Sequence, residues 1–264
     1  MGKIVAIIPH QVGLESATAK KVHIAMEGVF RKMGVIKRFL LIAMLTPTVA
    51  IADALDSDPF EGYNRAMFTF NDTADRWVLK PVARGYRFVT PDFVEGGVSR
   101  MFGNLGEVLN IVNDVLQGKI GQAGNDGGRL LINSTLGIAG FFDVARHAGL
   151  EKSDGEDFGQ TFAVWGAGEG AYLVLPFLGP STLRDAPGLL LDSVFNPIAE
   201  VDHVPTRNQL YGVKTVAIRA SLLEAEQLIK GDRYTFIKDV YLQRRRFLVN
   251  DGEVEDDFGD DDYN

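Results

Sequence analysis

The chain has 264 residues, of which 46% are hydrophobic, and a formal net charge of -8, with a mean hydropathy of +0.02 and a pI of about 5.1. So acidic a chain is a poor match for nucleic acid, and with no cysteine it holds no disulfide, thiolate nucleophile or cysteine metal site. No segment reaches the ~18 to 20 unbroken apolar residues of a membrane span, so the combination of greasiness and acidity points to partial membrane contact.

From Met33 the sequence reads as a secretory signal: Lys37 and Arg38, the apolar run Phe39 to Leu45, a break at Pro47, then the small residues Ala50, Ala52 and Ala54. Cleavage is expected after Ala52 or Ala54. Residues 1–32 precede a signal that belongs at an N-terminus, which makes Met33 the expected start. The organisation expected is an upstream extension 1–32, a signal peptide 33–54, a single helical domain 55–252 and an acidic tail 253–264. That tail carries Glu253, Glu255, Asp256, Asp257, Asp260, Asp261 and Asp262 without a base, and reads as a solvated, disordered end.

The domain opens on a helix start, with Asp58 as N-cap, Pro59 at the first helical position and Glu61 two residues on. Behind it Tyr63, Met67, Phe70, Ala74 and Trp77 follow at steps of 4, 3, 4 and 3, which makes one apolar stripe. Aromatics at this spacing predict a core-facing stripe; Phe60 and Phe68 widen it, so that the helix can also touch lipid. Lys80-Pro81 ends or kinks the helix, and Thr90-Pro91 starts the next. From Pro91 to Leu116 the apolar positions fit two helices around Gly103-Asn104-Leu105, closed by Gln117-Gly118. Lys119 to Leu136 reads as helix again, its Asn133-Ser134-Thr135 satisfying helix-end carbonyls or, alternatively, lining a polar passage. A short helix through Phe142, Val144 and Ala145 leads into a charged loop, Glu151 to Asp157.

The stretch from Asp157 to Asp185 is unlike the rest. Gly166, Gly168 and Gly170 alternate, opening torsions closed to other residues, and the apolar run Tyr172 to Phe177 is stopped by Pro176 and Gly179-Pro180. The expectation is a compact apolar hairpin or loop whose Tyr172, Leu173, Val174, Leu175, Phe177 and Leu178 contact a membrane or partner. Beyond it, Asp185 can cap a helix with Pro187 in its first turn, running to Asn196-Pro197. Residues 198–207 look irregular, Asn208 to Ile229 reads as the longest helix, and Asp232 caps a last helix ending in Arg244-Arg245-Arg246. Those arginines suit the negative end of the helix dipole, or meet phospholipid headgroups or the acidic tail.

Enzymatic signatures are missing. His10, His23, His147 and His203 never come at metal spacing, no Gly-x-Ser-x-Gly elbow occurs, and Gly166-x-Gly168-x-Gly170 lacks the Lys-Ser or Lys-Thr and the βαβ setting of a phosphate cradle. Glu169 and Asp185, carboxylates in apolar company, are candidates for shifted pKa values, with an ion pair or backbone cap as the plainer role. No cofactor, metal or covalent catalysis is expected.

Several of these stretches together carry a resemblance. Asp58-Pro59-x-Glu61-x-x-Asn64-Arg65, Phe70-Asn71, Leu79-Lys80-Pro81, Asn104-Leu105, Leu116-Gln117-Gly118, Ile132-Asn133-Ser134-Thr135 with Gly137, Asp143, Phe158-Gly159-Gln160-Thr161, Trp165-Gly166-x-Gly168-x-Gly170, Leu173-Val174-Leu175-Pro176, Gly179-Pro180-Ser181-Thr182-x-Arg184-Asp185 and Tyr241-Leu242-Gln243-Arg244-Arg245 resemble, in order and over roughly residues 56 to 252, the MlaA (VacJ) family of outer-membrane lipoproteins. The resemblance implies an all-α fold: a single domain of amphipathic helices arranged as a ring around a polar channel, with one short apolar β-hairpin or loop. It implies a non-enzymatic protein at the periplasmic face of the outer membrane, in contact with that membrane's inner leaflet. Such a protein removes phospholipid misplaced in the outer leaflet and, with a porin trimer as scaffold, passes it to a soluble periplasmic lipid carrier and an inner-membrane ATPase complex. Asn64, Asn71, Asn104, Asn113, Asn133 and Arg184, costly against lipid, are the candidates for the headgroup path. Family members carry a lipobox cysteine at the signal junction; this chain has no cysteine, so attachment through its own surface and partners is expected. Two other classes stay open: a structural, porin-binding surface protein anchored by the hairpin, and a periplasmic lipid hydrolase.

Overall fold

The structure is a computed structural model that describes residues 58–253; the expected extension, signal peptide and the tail beyond Glu253 lie outside the described residues. The expectation of a helical domain with one hairpin is met: among the described residues everything regular is helix except one two-stranded antiparallel sheet.

Helix α1 spans Glu61–Ala74, two residues later than the sequence signal placed it. Asp58 caps it from outside, its Oδ1 accepting the Phe60 N–H at 3.2 Å and its carbonyl the Glu61 N–H at 3.1 Å. The helix continues through a π turn, Asp75–Leu79, into α2, Lys80–Val89, with Pro81 in its first turn. A proline ring strikes the carbonyl four residues back; here that residue, Trp77, lies inside the widened π turn, so the chain neither stops nor needs a separate cap.

Helix α3, Asp92–Gln117, is one unbroken run of 26 residues and the longest of the described helices, where two helices around Gly103-Asn104-Leu105 were expected. A helical glycine costs only ~1 kcal/mol against alanine, and Asn104 faces inward to Ser134 Oγ at 2.8 Å, so packing carries the helix across the weak point. Gly118, at φ 81°, closes it as expected, and α4, Ile120–Thr135, returns beside it. Gly97 of α3 sits directly against the Phe141 ring, and a Cβ there would lie inside the ring's van der Waals surface. Gly97→Ala is therefore expected to destabilise the fold by ~1 to 3 kcal/mol through overpacking, read as a lower midpoint in chemical denaturation.

The short helix expected after Gly140 is a single 3₁₀ turn, Ala145–Ala148. The sequence reading missed helix α5, Phe158–Val164, which Asp157 caps by accepting the Gln160 N–H at 2.9 Å. Strands β1, Tyr172–Leu175, and β2, Gly179–Thr182, pair with Tyr172 opposite Thr182 and Leu175 opposite Gly179. Helix α6, Asp185–Phe195, precedes a 3₁₀ turn at Pro197–Glu200. Helix α7 runs Val204–Ser221 rather than 208–229: His203 caps it four residues earlier than expected, and its far end gives way to a 3₁₀ turn, Ala225–Leu228. That turn is held by charge, since Glu226 accepts from Lys80 at 2.8 Å, Arg219 at 2.6 Å and Arg233 at 2.8 Å. Burial raises the Glu226 pKa, but those three cations outweigh it and bring it to about 2. Helix α8, Arg233–Val249, is capped by Asp232 as the sequence indicated.

The apolar core is small. Tyr172, Val174 and Tyr234 form its buried centre, with Met67, Phe68, Tyr241 and Leu242 packed around them. Of the expected core stripe of α1 only Met67 packs against it; Tyr63, Phe70 and Trp77 face outward, Trp77 with 80% of its surface exposed. The side of α1 that carries Asn64 faces the protein instead, because the hairpin offers unpaired backbone there.

Candidate functional site

The hairpin is held by a side-chain imitation of a third strand. Asn64 accepts the Val174 N–H at 2.8 Å and donates to the Tyr172 carbonyl at 3.0 Å; Asn71 accepts the Phe177 N–H at 2.7 Å and donates to the Leu175 carbonyl at 2.9 Å. Seven residues of helix rise ~10.5 Å and three residues of strand advance ~10 Å, so the two asparagines meet the free edge of β1 in register. An exposed strand edge is thereby closed. Asn64 also donates to Asp58 Oδ1 at 2.9 Å, and the other Asp58 oxygen accepts from the Tyr234 hydroxyl, so the start of α1, the hairpin and α8 share one joint.

The hairpin set divides by strand alternation. Tyr172 and Val174 are buried in the core, which corrects their placement on a contact surface, and Leu173 and Leu175 are half-buried. Only the tip projects: Phe177, at φ 61°, is 79% exposed beside Leu178 at 69%, with the Phe70 ring edge-on to Phe177 at 5.0 Å.

The elements are joined by polar seams where a soluble protein would use apolar ones. Between α3 and α4 lie Asn104, Glu107, Asp114, Asp126, Arg129 and Asn133, all buried. Arg129 reaches Glu107 at 3.5 Å and Asp143 at 3.1 Å; Asn133 donates to Asp143 Oδ1 at 3.0 Å and accepts the Ala145 N–H at 2.9 Å. Burial raises the Asp143 carboxyl, and Arg129 with Asn133 more than reverses it, holding it below the usual range. Asn113 accepts from the Thr161 hydroxyl at 2.7 Å, tying α3 to α5. Of Asn133-Ser134-Thr135, Thr135 does serve a helix carbonyl, that of Leu131 at 2.7 Å, whereas Asn133 and Ser134 bridge to other elements.

A second seam joins α5, α6 and α8. Arg245 Nη1 meets Asp157 Oδ2 at 2.6 Å and its Nε meets Asp185 Oδ2 at 2.9 Å; Arg184 Nε adds to Asp185 Oδ1 at 2.8 Å and the Tyr241 hydroxyl donates to Asp185 at 3.0 Å. Asp185 is thus an ion-pair hub and not a cap; its own N–H is capped by Thr182 Oγ1 at 3.1 Å. Burial raises its pKa, but Arg184 and Arg245 bring it below the ordinary value. The triple arginine is likewise divided: Arg245 is buried in this seam, while Arg244 and Arg246 stay exposed near Asp154 and Glu169. That corrects the reading of all three as a dipole or headgroup patch.

The six residues expected along a headgroup path do not converge on one lining. Asn64 and Asn71 clamp the hairpin, Asn104 and Asn133 sit in the α3 and α4 seam, Asn113 ties α3 to α5, and Arg184 belongs to the Asp185 hub. Among the six, Asn104 alone keeps a buried side-chain atom, its Oδ1, with no hydrogen-bond partner.

Outside these seams the surface carries many exposed large apolar side chains. Phe88 is 91% and Phe93 69% exposed, and Val78, Val89, Ile120, Leu131, Leu136 and Leu190 join them. Exposed apolar area on this scale marks a surface that does not face water, and amphipathic helices whose polar sides pack together leave their greasy sides for lipid. No described helix is long and apolar enough to cross a membrane, and among the described residues no group of three or more His, Cys, Asp or Glu is placed to hold a metal ion.

Fold and surface together define a class: helical proteins that put polar and charged residues inside, greasy residues outside, and have no crossing helix among the residues described. The chain belongs to the MlaA lipoprotein family, whose model matches residues 56–248. It is similar to the intermembrane phospholipid transport system lipoprotein MlaA of Escherichia coli K12, 36% identical over 204 residues that cover 75% of this chain and 81% of that protein. The protein of the same description in Haemophilus influenzae is 31% identical over 203 residues, with coverages of 75% and 81%. A solved chain from work on the structural basis for maintenance of bacterial outer membrane lipid asymmetry is 33% identical, with a TM-score of 0.65 over 74% of this chain and 100% of that one.

Proposed function

We propose that this protein transports phospholipid in the cell envelope, taking up lipid misplaced in the outer leaflet of an outer membrane and passing it inward to a periplasmic carrier, with a porin trimer as its scaffold. One observation carries the reading: the burial pattern is inverted, with polar seams such as Glu107, Asp126 and Arg129 inside and Trp77, Phe88 and Phe93 outside. A surface of that kind suits contact with hydrocarbon or with a protein partner. A ring of such helices offers a phospholipid headgroup a polar route through a layer where an unpaired charge costs several kcal/mol, and lowering that cost requires no covalent chemistry. In this reading Asn64, Asn71, Asn113 and Asn133 serve as the frame of the passage, since their amides are spent on protein, and Asn104 with its free oxygen and Arg184 are its candidates for headgroup contact. The exposed tip, Phe177 and Leu178, is the candidate for insertion into the leaflet or against the scaffold.

The test is purification from native membranes in mild detergent, with mass spectrometry of what accompanies the protein. Intact phospholipid together with a trimeric porin is the expected result. A lipid-free, porin-free monomer from the soluble periplasm would sink the reading, and release of fatty acid or lysolipid by the purified protein would replace it with a hydrolase.

A further inference from the structure

In the α3–α4 seam the carboxyl of Asp114 is wholly buried, and neither of its oxygens has a hydrogen-bond partner. It faces the carboxyl of Asp126, which is equally buried but saturated. Asp126 Oδ1 accepts from Gln122 at 2.8 Å and Asn125 at 3.0 Å, and Oδ2 from the Ser153 hydroxyl at 2.9 Å. Three donors converge on Asp126 and can stabilise negative charge there, while a second charge beside it, on Asp114, has nothing to offset its burial. Of the neighbouring charges Lys119 favours the ionised form, but too weakly to offset burial. Lys119, at the turn between the helices, is spent on Glu156 at 3.0 Å and on Asp251; Glu156 itself adds repulsion; Glu107, further along α3, is paired to Arg129 at 3.5 Å. Since no acidic cluster among the described residues is arranged for a metal ion, the ligand this geometry calls for is a proton.

We propose that Asp114 and Asp126 form a proton-binding site, in which Asp114 keeps its proton at neutral pH and donates it to Asp126, so that the buried seam carries one negative charge instead of two. The inference concerns the α3–α4 pairing and stands whether or not the chain carries lipid. Burial first, then Asp126 and Glu156, push the Asp114 pKa from 3.8 to about 7. The folded protein therefore binds this proton more tightly than the unfolded chain does. The stability gained is complete below about 3.8 and is lost as pH rises through about 7, so the α3–α4 pair loosens on the alkaline side.

The experiment is thermal unfolding of the full chain in detergent between roughly pH 5 and pH 9, wild type against Asp114→Asn. The wild-type midpoint is expected to fall by several degrees as pH rises through neutrality; Asp114→Asn should lose the part of that fall that does not belong to Asp192, which burial also pushes to about 7, and melt above wild type at the alkaline end. An Asp114→Asn curve parallel to wild type overturns the proposal. So does a calcium-dependent rise of the wild-type midpoint at alkaline pH that Asp114→Asn lacks, which would make the pair a cation site. Infrared difference spectra supply a direct reading that does not depend on that variant folding. Asp192 is also pushed to about 7, chiefly by burial, so the titration is run on Asp192→Asn; one carboxyl must still lose its protonated carbonyl band near neutral pH, and absence of that band overturns the proposal as well.

Discussion

Replacing Asn64 with leucine is expected to destabilise the protein by ~3 to 5 kcal/mol, and Asn71→Leu by ~1 to 3, with the hairpin as the part that fails first. Asn64 is fully buried and makes three hydrogen bonds, two of them to the β1 backbone. Leucine has nearly the same size but leaves the Val174 N–H and the Tyr172 carbonyl unpaired in a buried setting. The cost is the desolvation of both groups rather than the modest net worth of the bonds themselves. A two-stranded hairpin has little stability of its own, so without its third-strand substitute it should open locally before the helices melt. Limited proteolysis between Gly170 and Gly179 reads that opening, and chemical denaturation reads the global loss. Because both asparagines grip one strand, the double variant should cost less than the sum of the singles. Thr73→Ala, which removes an exposed hydroxyl bonded at 2.7 Å to the Thr69 carbonyl on the surface of α1, is the control and should change stability by less than ~0.5 kcal/mol.

Those two asparagines also show how far the sequence could be read. Helix, hairpin, turn and cap signals are local, and local chemistry places them: Asp232 caps α8, Gly118 ends α3, and Pro176 with Gly179 confines the strands. That Asn64 and Asn71 are polar residues inside a greasy helix is equally visible. What they do is not, because their partners lie 104 to 110 residues away. The aromatic stripe of α1 failed for a different reason. Periodicity tells which residues share a face, but not which face is buried, and where polar residues such as Asn64 pack inward the usual assignment is reversed. Arg245 failed for a third: a triple arginine at a helix end reads as exposed charge until Asp157 and Asp185 are brought beside the middle one by α5 and α6.

Arg245→Leu is accordingly expected to be among the most damaging single changes, at ~3 to 5 kcal/mol, because it strands carboxylates that the fold has already buried. Both carboxylates lose a partner: Asp157 its 2.6 Å pair and Asp185 its 2.9 Å pair. Arg245→Lys keeps the charge but not the planar fork that spans two carboxylates, so an intermediate loss of ~1 to 3 kcal/mol is expected from it. The pH response separates this account from a mere packing defect. In the wild type the arginines hold Asp185 below its ordinary pKa; the stability this lends is present above the unfolded value of about 3.8 and fades as pH falls through the lower, folded one. Without Arg245 only Arg184 still opposes burial, so the Asp185 pKa rises and the variant's deficit relative to wild type should narrow as pH falls from about 7 to about 4. Urea titrations of both proteins at those two pH values decide it. A gap between them that stays constant would mean that Arg245 acts through its bulk, and that the seam joining α5, α6 and α8 is held by shape rather than by charge.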